Sequence, residues 1–444
     1  MDNISRRSAA LTAGLLILLV SVLTAFIQPA WAEYETITPI GNESAKAPSI
    51  KSKSAVLYSL QLDRPVYEKD ADARREPYSI TKILTCYLAL EKLDPDKIVT
   101  VSENATQTYE NGTSIFLKPG EKISVKDLVY GAMLESGNDA AYALGEAVSG
   151  SEKDFAELMT DTAEKWGCTG TKFANANGWK HREHYTTAHD MALIAKNCFE
   201  NETLLKISRT KKYKAAATNK TGSRDMINYM LLTAKAYNAQ VKSGEVRGPE
   251  LKIKSMDGGK TGTWSEDDCS IVVDFSEKGL KGIIVLIGDT KKSRIRDAAK
   301  LMKFSHKVTP GYRVSQKGEA VIDVWVRHGA KTRTTLAVSG TTRAYPKSGD
   351  AGDIRIETEY DRIEAPVRKG DKLGSYYVYV DNELIAKKSL IATESIVTGW
   401  FPSYIYISNH ASAIIAGVLA SLILIIILIV IILRLRTPRY QSRH

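Results

Sequence analysis

A chain of 444 residues, 43% hydrophobic and 25% charged, is long enough for a large folded domain and further units besides. Its formal net charge of +10 suits association with an anionic cell surface or wall, but the basic residues are spread along the chain, which argues against a nucleic-acid partner. Four cysteines (Cys86, Cys168, Cys198, Cys269) are too few for a disulfide framework, leaving one or two bridges or buried free thiols as alternatives.

In chain order, residues 1–32 read as an export signal. Arg6 and Arg7 precede a mostly apolar run over 9–26, and Ala30-Trp31-Ala32 is a small-x-small cleavage site that would leave Glu33 at the new N-terminus. An uncleaved anchor helix is the alternative. Residues 33–54 are polar, carry Pro39 and Pro48, and read as a flexible lead-in.

The body over 55–308 opens with short strands at 55–60 and 66–69. A helix follows over 79–92, started by Pro77, with Ile83, Leu84, Tyr87, Leu88 and Leu90 at helical spacing. Amphipathic stretches at 125–145, 152–166 and 187–199 are further helices. Apolar runs at 271–275 and 282–287 are strands, and 294–304 is helical again. After Thr309-Pro310-Gly311 the texture changes to strands alone (320–326, 334–338, 354–359, 375–380), a second, all-β domain over 309–395.

A linker over 396–410, with Trp400, Phe401, Tyr404 and Tyr406 as an interfacial belt, leads to residues 411–433. These hold no charged residue and span about 34 Å as a helix, enough to cross a bilayer. Arg434, Arg436, Arg439 and Arg443 in the tail over 434–444 place that end in the cytoplasm and the domains outside.

Three short motifs carry the chemistry. In Ser79-Ile80-Thr81-Lys82, residues three apart share a helix face, so a hydroxyl lies beside an amine. Serine is a poor nucleophile until a base takes its proton, and Lys82 serves if burial and a second cation such as Lys260 keep it neutral. Ser136-Gly137-Asn138 places a hydroxyl and an amide on a tight turn, and Lys260-Thr261-Gly262 offers a cation, a hydroxyl and a close backbone approach.

Decoys exist for all three. Ser208-Arg209-Thr210-Lys211 lies in a basic stretch without an apolar face, Ser102-Glu103-Asn104 reads as a helix cap, and Lys220-Thr221-Gly222 reads as a polar loop without a flanking strand. Context selects the first set.

In that order the motifs resemble those of the low-molecular-mass penicillin-binding proteins, specifically the serine-type D-alanyl-D-alanine carboxypeptidases. The resemblance extends to 173–178, to 184–192 and, in the β domain, to Pro366-Val367-Arg368-Lys369-Gly370 and Gly374. It implies an α/β transpeptidase/β-lactamase-like domain, helices packed on an antiparallel sheet, followed by the small all-β domain and the transmembrane helix.

It also implies roles. Ser79 attacks the carbonyl between two D-alanines of a peptidoglycan stem peptide, with Lys82 as base. Ser136 passes the proton to the leaving amine, and Asn138 holds the substrate amide. Lys260 supplies positive potential and Thr261 binds the terminal carboxylate. The N–H groups of Ser79 and Thr263 form the oxyanion hole, beside Gly262. β-Lactams act as inhibitors, and no metal or cofactor is required.

The chain departs from the family at Tyr78, where a small residue is usual, and at the bulky, acidic Trp264-Ser265-Glu266-Asp267-Asp268-Cys269. A β-lactamase or esterase on the same scaffold and a catalytically silent wall-binding protein are the rival readings. His181, His184 and His189 lack the spacing of a metal site. Cys86, one turn beyond Lys82, reads as structural, Trp166 and Trp179 as core or lid, and Asp139 as a helix cap.

Overall fold

The computed structural model describes residues 37–436 except 43, 108–111, 251–254, 278, 401–402 and 405–406. The export signal and residues 437–444 of the basic tail therefore lie outside the described residues.

Strands β1 (Thr38–Ile40), β2 (Ser54–Ser59) and β3 (Arg64–Lys69) are followed by a 3-10 turn at Tyr78–Thr81 and helix α1 (Lys82–Lys92). After β4 (Ile98–Thr100), α2 (Glu103–Thr106) and β5 (Lys122–Ser124) come four longer helices: α3 (Val125–Leu134), α4 (Asn138–Ser149), α5 (Glu152–Lys165) and α6 (Ala188–Phe199). Then follow α7 (Glu202–Arg209), the hairpin β6 (Lys212–Ala215) and β7 (Arg224–Ile227), α8 (Tyr229–Ser243), and three long strands, β8 (Met256–Ser265), β9 (Asp268–Glu277) and β10 (Leu280–Asp289). Helix α9 (Ser293–Val308) closes the first domain.

The predicted 125–145 helix is two helices, because Ser136 takes a positive φ of 62° that no helix accommodates. Five helices begin where a short polar side chain accepts an orphan N–H: Ser124 from Asp127, Ser151 from Asp154, Thr187 from Asp190, Asn201 from Leu204 and Asn228 from Leu231.

The five-stranded antiparallel sheet has the order β3-β2-β10-β9-β8, so β8 is an edge strand. Successive side chains on a strand point to opposite faces. Val56, Val272, Ile283 and Val285 join one core with α1 and α3–α6, while Leu57, Ile271, Val273 and Ile284 join a second with α8 and α9. Burial on both faces is why β10 reads as an unbroken apolar run and β9 as one broken by the buried Asp274.

The second domain contains β11 (Gly311–Ser315), β12 (Ala320–Arg327), β13 (Arg333–Val338), β14 (Thr342–Ala344), β15 (Ile354–Tyr360), β16 (Ile363–Glu364), β17 (Lys372–Val380) and β18 (Glu383–Ala392). Six of these form a sheet in the order β15-β17-β18-β13-β12-β16, around a separate core that includes Val326, Leu336, Val378 and Leu390.

The 33–54 segment is not simply a lead-in. β1 pairs antiparallel with β11 in a sheet with β14, and Ile50, Ser52 and Ser54 are buried, so an N-terminal strand closes an edge of the second domain. Part of the 396–410 linker is likewise paired: Ile396 bridges Val367 and Thr398 bridges Gly329. Helix α10 (Asn409–Arg436) starts two residues before, and runs three beyond, the predicted 411–433 span. Residues Asn409–Ile432 are long and apolar enough to cross a membrane and bury none of that surface in the protein. The α10 N-terminus is tied down, since Asn409 N donates to Ala330 O at 2.9 Å and Ala330 N to Val397 O at 2.9 Å.

Because the β domain has its own core, Leu390→Ala should cost about 2–5 kcal/mol locally. Hydrogen exchange is expected to rise over 372–392 and to stay unchanged over 271–287; a uniform rise would mean that the two cores unfold as one.

Candidate active site

The nucleophile turn is built by close backbone packing. Tyr78 takes a positive φ of 56° and is followed by Ser79 on the 3-10 turn that feeds α1. A Cβ on Gly262 would lie 2.9 Å from Pro77 O and 3.0 Å from Tyr78 Cβ, so only glycine lets β8 pass this close to Ser79. Gly178 is constrained in the same way from the other side: its φ is +83° and a Cβ would sit 1.9 Å from Tyr78 O.

Lys82 is fully buried at the start of α1. Its Nζ donates to Asn138 Oδ1 at 2.7 Å and to Asn177 O at 2.6 Å, and lies 2.9 Å from Ser79 Oγ. The two oxygens can only accept, whereas the serine hydroxyl can donate. Ser79 Oγ can accept from an ammonium or donate to a neutral amine. Burial first, and the Lys260 charge second, hold the Lys82 pKa well below that of a free lysine.

The second and third motifs meet across the cleft. Lys260 Nζ, from β8, donates to Ser136 Oγ at 2.9 Å and to Thr261 O at 2.8 Å. Burial, then the Arg294 guanidinium, push Lys260 down to about 7. The turn holding Ser136 is pinned on both sides: Gly137 N donates to Gly131 O at 3.0 Å, Asn138 N to Thr113 O at 2.8 Å and Thr113 Oγ1 to Ser136 O at 2.6 Å. The structure thus brings together two hydrogen-bonded groups, Lys82 with Ser79 and Asn138 and Lys260 with Ser136, joined through the Ser136-Gly137-Asn138 turn, with Thr261 and Gly262 beside Lys260 on β8 and Thr263 following.

Two decoy descriptions change. Ser208 lies on an amphipathic helix, α7, with Leu204 and Ile207 buried beside it; its Oγ donates to Leu205 O at 2.8 Å and packs against Gly258. Alternation of lysine and arginine with Leu204, Leu205 and Ile207 had hidden that face. Lys220-Thr221-Gly222 does have flanking strands, since it is the connection of the β6–β7 hairpin. Ser102 caps α2, accepting from Ala105 N. Lys260-Thr261-Gly262 lies inside β8 itself rather than merely ahead of the 271–275 strand. Its three glycines (Gly258, Gly259, Gly262) and lysine disguise the strand.

Other residues complete the site without a motif to announce them. Arg294, at the start of α9, is buried; its Nη1 donates to Gly262 O at 2.7 Å, Thr263 Oγ1 at 3.0 Å and Ser270 O at 3.2 Å. Asn175 Oδ1 accepts from Gly178 N and Trp179 N, shaping the loop that presents Asn177 O to Lys82. His184 engages Thr81 Oγ1 at 2.9 Å and accepts from Ala174 N at 3.1 Å, and burial pushes it down to about 3, so it is neutral. Asp139 accepts from Ile115 N, Leu117 N and Ser114 Oγ, fixing the 114–117 segment as well as its own helix start. All four cysteines are free and buried, which resolves the alternatives left by their number, and burial pushes Cys86 up to about 12.

A neutral amine on a serine hydroxyl, facing a second hydroxyl under a cation, on a sheet edge flanked by helices, defines a serine acyl-transfer enzyme. The D-alanyl-D-alanine carboxypeptidase pattern (peptidase S11) matches residues 41–291, and the C-terminal domain of penicillin-binding protein 5 matches 312–398. The chain belongs to the D-alanyl-D-alanine carboxypeptidase family.

It is 30% identical over 363 residues to D-alanyl-D-alanine carboxypeptidase DacF of Bacillus subtilis (strain 168), covering 80% of this chain and 88% of the relative. It is 28% identical over 376 residues to DacC of Escherichia coli (strain K12), covering 81% and 88%. Penicillin-binding protein 5 from Haemophilus influenzae shares the fold, with a TM-score of 0.51, 24% identity and coverage of 80% of this chain and 100% of that one. The Streptomyces K15 DD-transpeptidase matches the first domain at a TM-score of 0.51 and 26% identity, over 59% of this chain and 98% of that one. The protein is a serine hydrolase of the DD-carboxypeptidase type, and the β-lactamase, esterase and silent-scaffold readings are not favoured.

The shifted lysines set a pH profile. With Lys82 in the role of base that the motif implies, its protonation on the acid side would remove that base, while above about 7 Lys260 loses its charge. The maximal acylation rate of Ser79 by a carboxylate-bearing ester should therefore fall on the acid side. Affinity for that ester should weaken above pH 7, as read by stopped-flow acylation across roughly pH 5–9. A neutral ester should lose only the alkaline affinity effect.

Proposed function

We propose that the enzyme removes the terminal D-alanine from peptidoglycan stem peptides through a Ser79 acyl-enzyme. Ser79 Oγ forms a bond to the penultimate D-alanine carbonyl carbon while its proton passes to Lys82 Nζ. The carbonyl oxygen takes the negative charge, held by the N–H groups of Ser79 and Thr263. The C–N bond then breaks, and the proton reaches the leaving amine through Ser136. Water hydrolyses the ester.

Asn138 would hold the substrate amide, Thr261 would bind the terminal carboxylate under the positive potential of Lys260, and Gly262 would leave room for the ligand backbone. β-Lactams that mimic this peptide would acylate Ser79. The observation that carries the reading is the fully buried Lys82 amine, with its Nζ 2.9 Å from Ser79 Oγ and bonded to Asn138 Oδ1 and Asn177 O.

In the cell, residues 1–32 would be removed on export and the segment over 411–433 would cross the membrane, with the arginine-bearing tail over 434–444 inside. The catalytic domain over 55–308 would then face the wall, and the β domain over 309–395 would act as a spacer. The exposed apolar surface of α10 supports this arrangement.

The test is D-alanine release from a Lys-D-Ala-D-Ala peptide by the full chain in detergent. Ser79→Ala should abolish release, and Lys82→Ala should lower it by at least about 100-fold. Ser208→Ala should keep it, because that hydroxyl is buried against Gly258 away from the cluster. Release that survives Ser79→Ala would overturn the assignment.

A further inference from the structure

Between the two domains lies a cleft of about 560 Å³, lined by none of the residues gathered around Ser79. Its floor contains a carboxyl where the strand pattern calls for an apolar side chain. Asp274 on β9 pairs with Gly258 of β8 and Ile283 of β10, on the sheet face from which Val272 and Ile283 enter the helical core. Asp274 is 7% exposed and, among the described residues, accepts no hydrogen bond and forms no ion pair. A buried acid without a partner is costly, and breaks of this kind in a local pattern occur at functional sites. Burial first, then the neighbouring Asp257 carboxyl, push Asp274 up to about 7.

The nearest cations are committed elsewhere. Arg209, at the end of α7, pairs with Asp257 at 2.6 Å, and Lys196 of α6 pairs with Asp63, which is not part of the cleft wall. Lys281 of β10 and Lys347 remain, facing Asp274, Glu200, Asp381 and Glu383. Two cations against four acids leave the cleft short of positive charge, which favours a cationic ligand. Leu60, Phe199 and Leu205 line the same wall and offer apolar contact.

We propose that this interdomain cleft binds an alkylammonium group, with the charge on Asp274 and the aliphatic stem against Leu60, Phe199 and Leu205. The amine belongs to a free diamine or to a lysine side chain of a peptide; the chemistry at Asp274 is the same. A protonated Asp274 gives up its proton to solvent as the ammonium arrives, and the ammonium keeps its own. Because Val380, Asp381 and Glu383 come from the β17–β18 turn, a bound amine touches both domains at once.

The full chain in detergent is titrated calorimetrically with cadaverine, with Nα-acetyl-lysine amide and with pentanediol, which has the stem of cadaverine without its charge. Affinity for cadaverine should rise about 10-fold across roughly pH 6–8, where Asp274 loses its proton while the amines keep theirs. Asp274→Asn should weaken binding of both amines by about 10- to 100-fold and flatten that pH dependence. D-Alanine release by the variant should match wild type, which shows that the variant is folded.

The pH dependence is read on wild type and so stands whether or not the variant folds. Whichever amine binds more tightly names the natural source, and either order supports the cleft. Absence of binding by both amines, pentanediol binding as tightly as cadaverine, a wild-type affinity that does not change with pH, or undiminished binding by Asp274→Asn overturns the proposal.

Discussion

The arrangement around Ser79 depends on one buried amine whose ammonium form burial disfavours. A lysine side chain placed without water is unstable as an ammonium unless anions surround it, and the immediate partners of Lys82 are an amide oxygen, a peptide carbonyl and a hydroxyl. Those partners come from the nucleophile turn, from the start of α4 and from the 175–178 loop, three segments far apart in sequence. Packing the helical core around α1 is what brings them together, so the hydrophobic core serves the chemistry directly as well as the stability of the domain.

The second cation is arranged differently. Lys260 hangs from an edge strand, bonded to Ser136 and to its own neighbour's carbonyl, and Arg294 lies behind that strand. Lys260 on β8 and Arg294 on α9 behind it give the rim a positive potential, while burial holds the pKa of Lys82 on the opposite wall well down. This separation of roles within a few ångströms is achieved by burial and by which acceptors each group meets, since the side chains at 82 and 260 are chemically identical.

The sequence makes the motif residues legible because their chemistry is carried by side chains in fixed local frames. Ser79 and Lys82 share a helix face by spacing alone, and Pro77 marks the start. The long strands β9 and β10 declare themselves by their apolar runs at 271–275 and 282–287, the first broken only by Asp274. What stays hidden is contributed by backbone or by distant partners: the Asn177 carbonyl has no side-chain signature, and Arg294 looks like any arginine on an amphipathic helix. β8 is masked by its glycines, needed for close approach, and α7 by lysine and arginine interleaved with its leucines. β1 is hidden for another reason, because a three-residue edge strand carrying a proline has too little pattern to distinguish it from a lead-in.

The joint at the foot of the β domain has a further consequence. The last helix is hydrogen-bonded through Asn409 to the 328–330 turn, and that turn is bonded to residues 397 and 399. Such a fixing shortens the tether to almost nothing. Were α10 to cross a membrane as proposed, an enzyme mounted this way would search a thin layer above it instead of a sphere, and the rate at which it meets substrate would scale with area rather than volume.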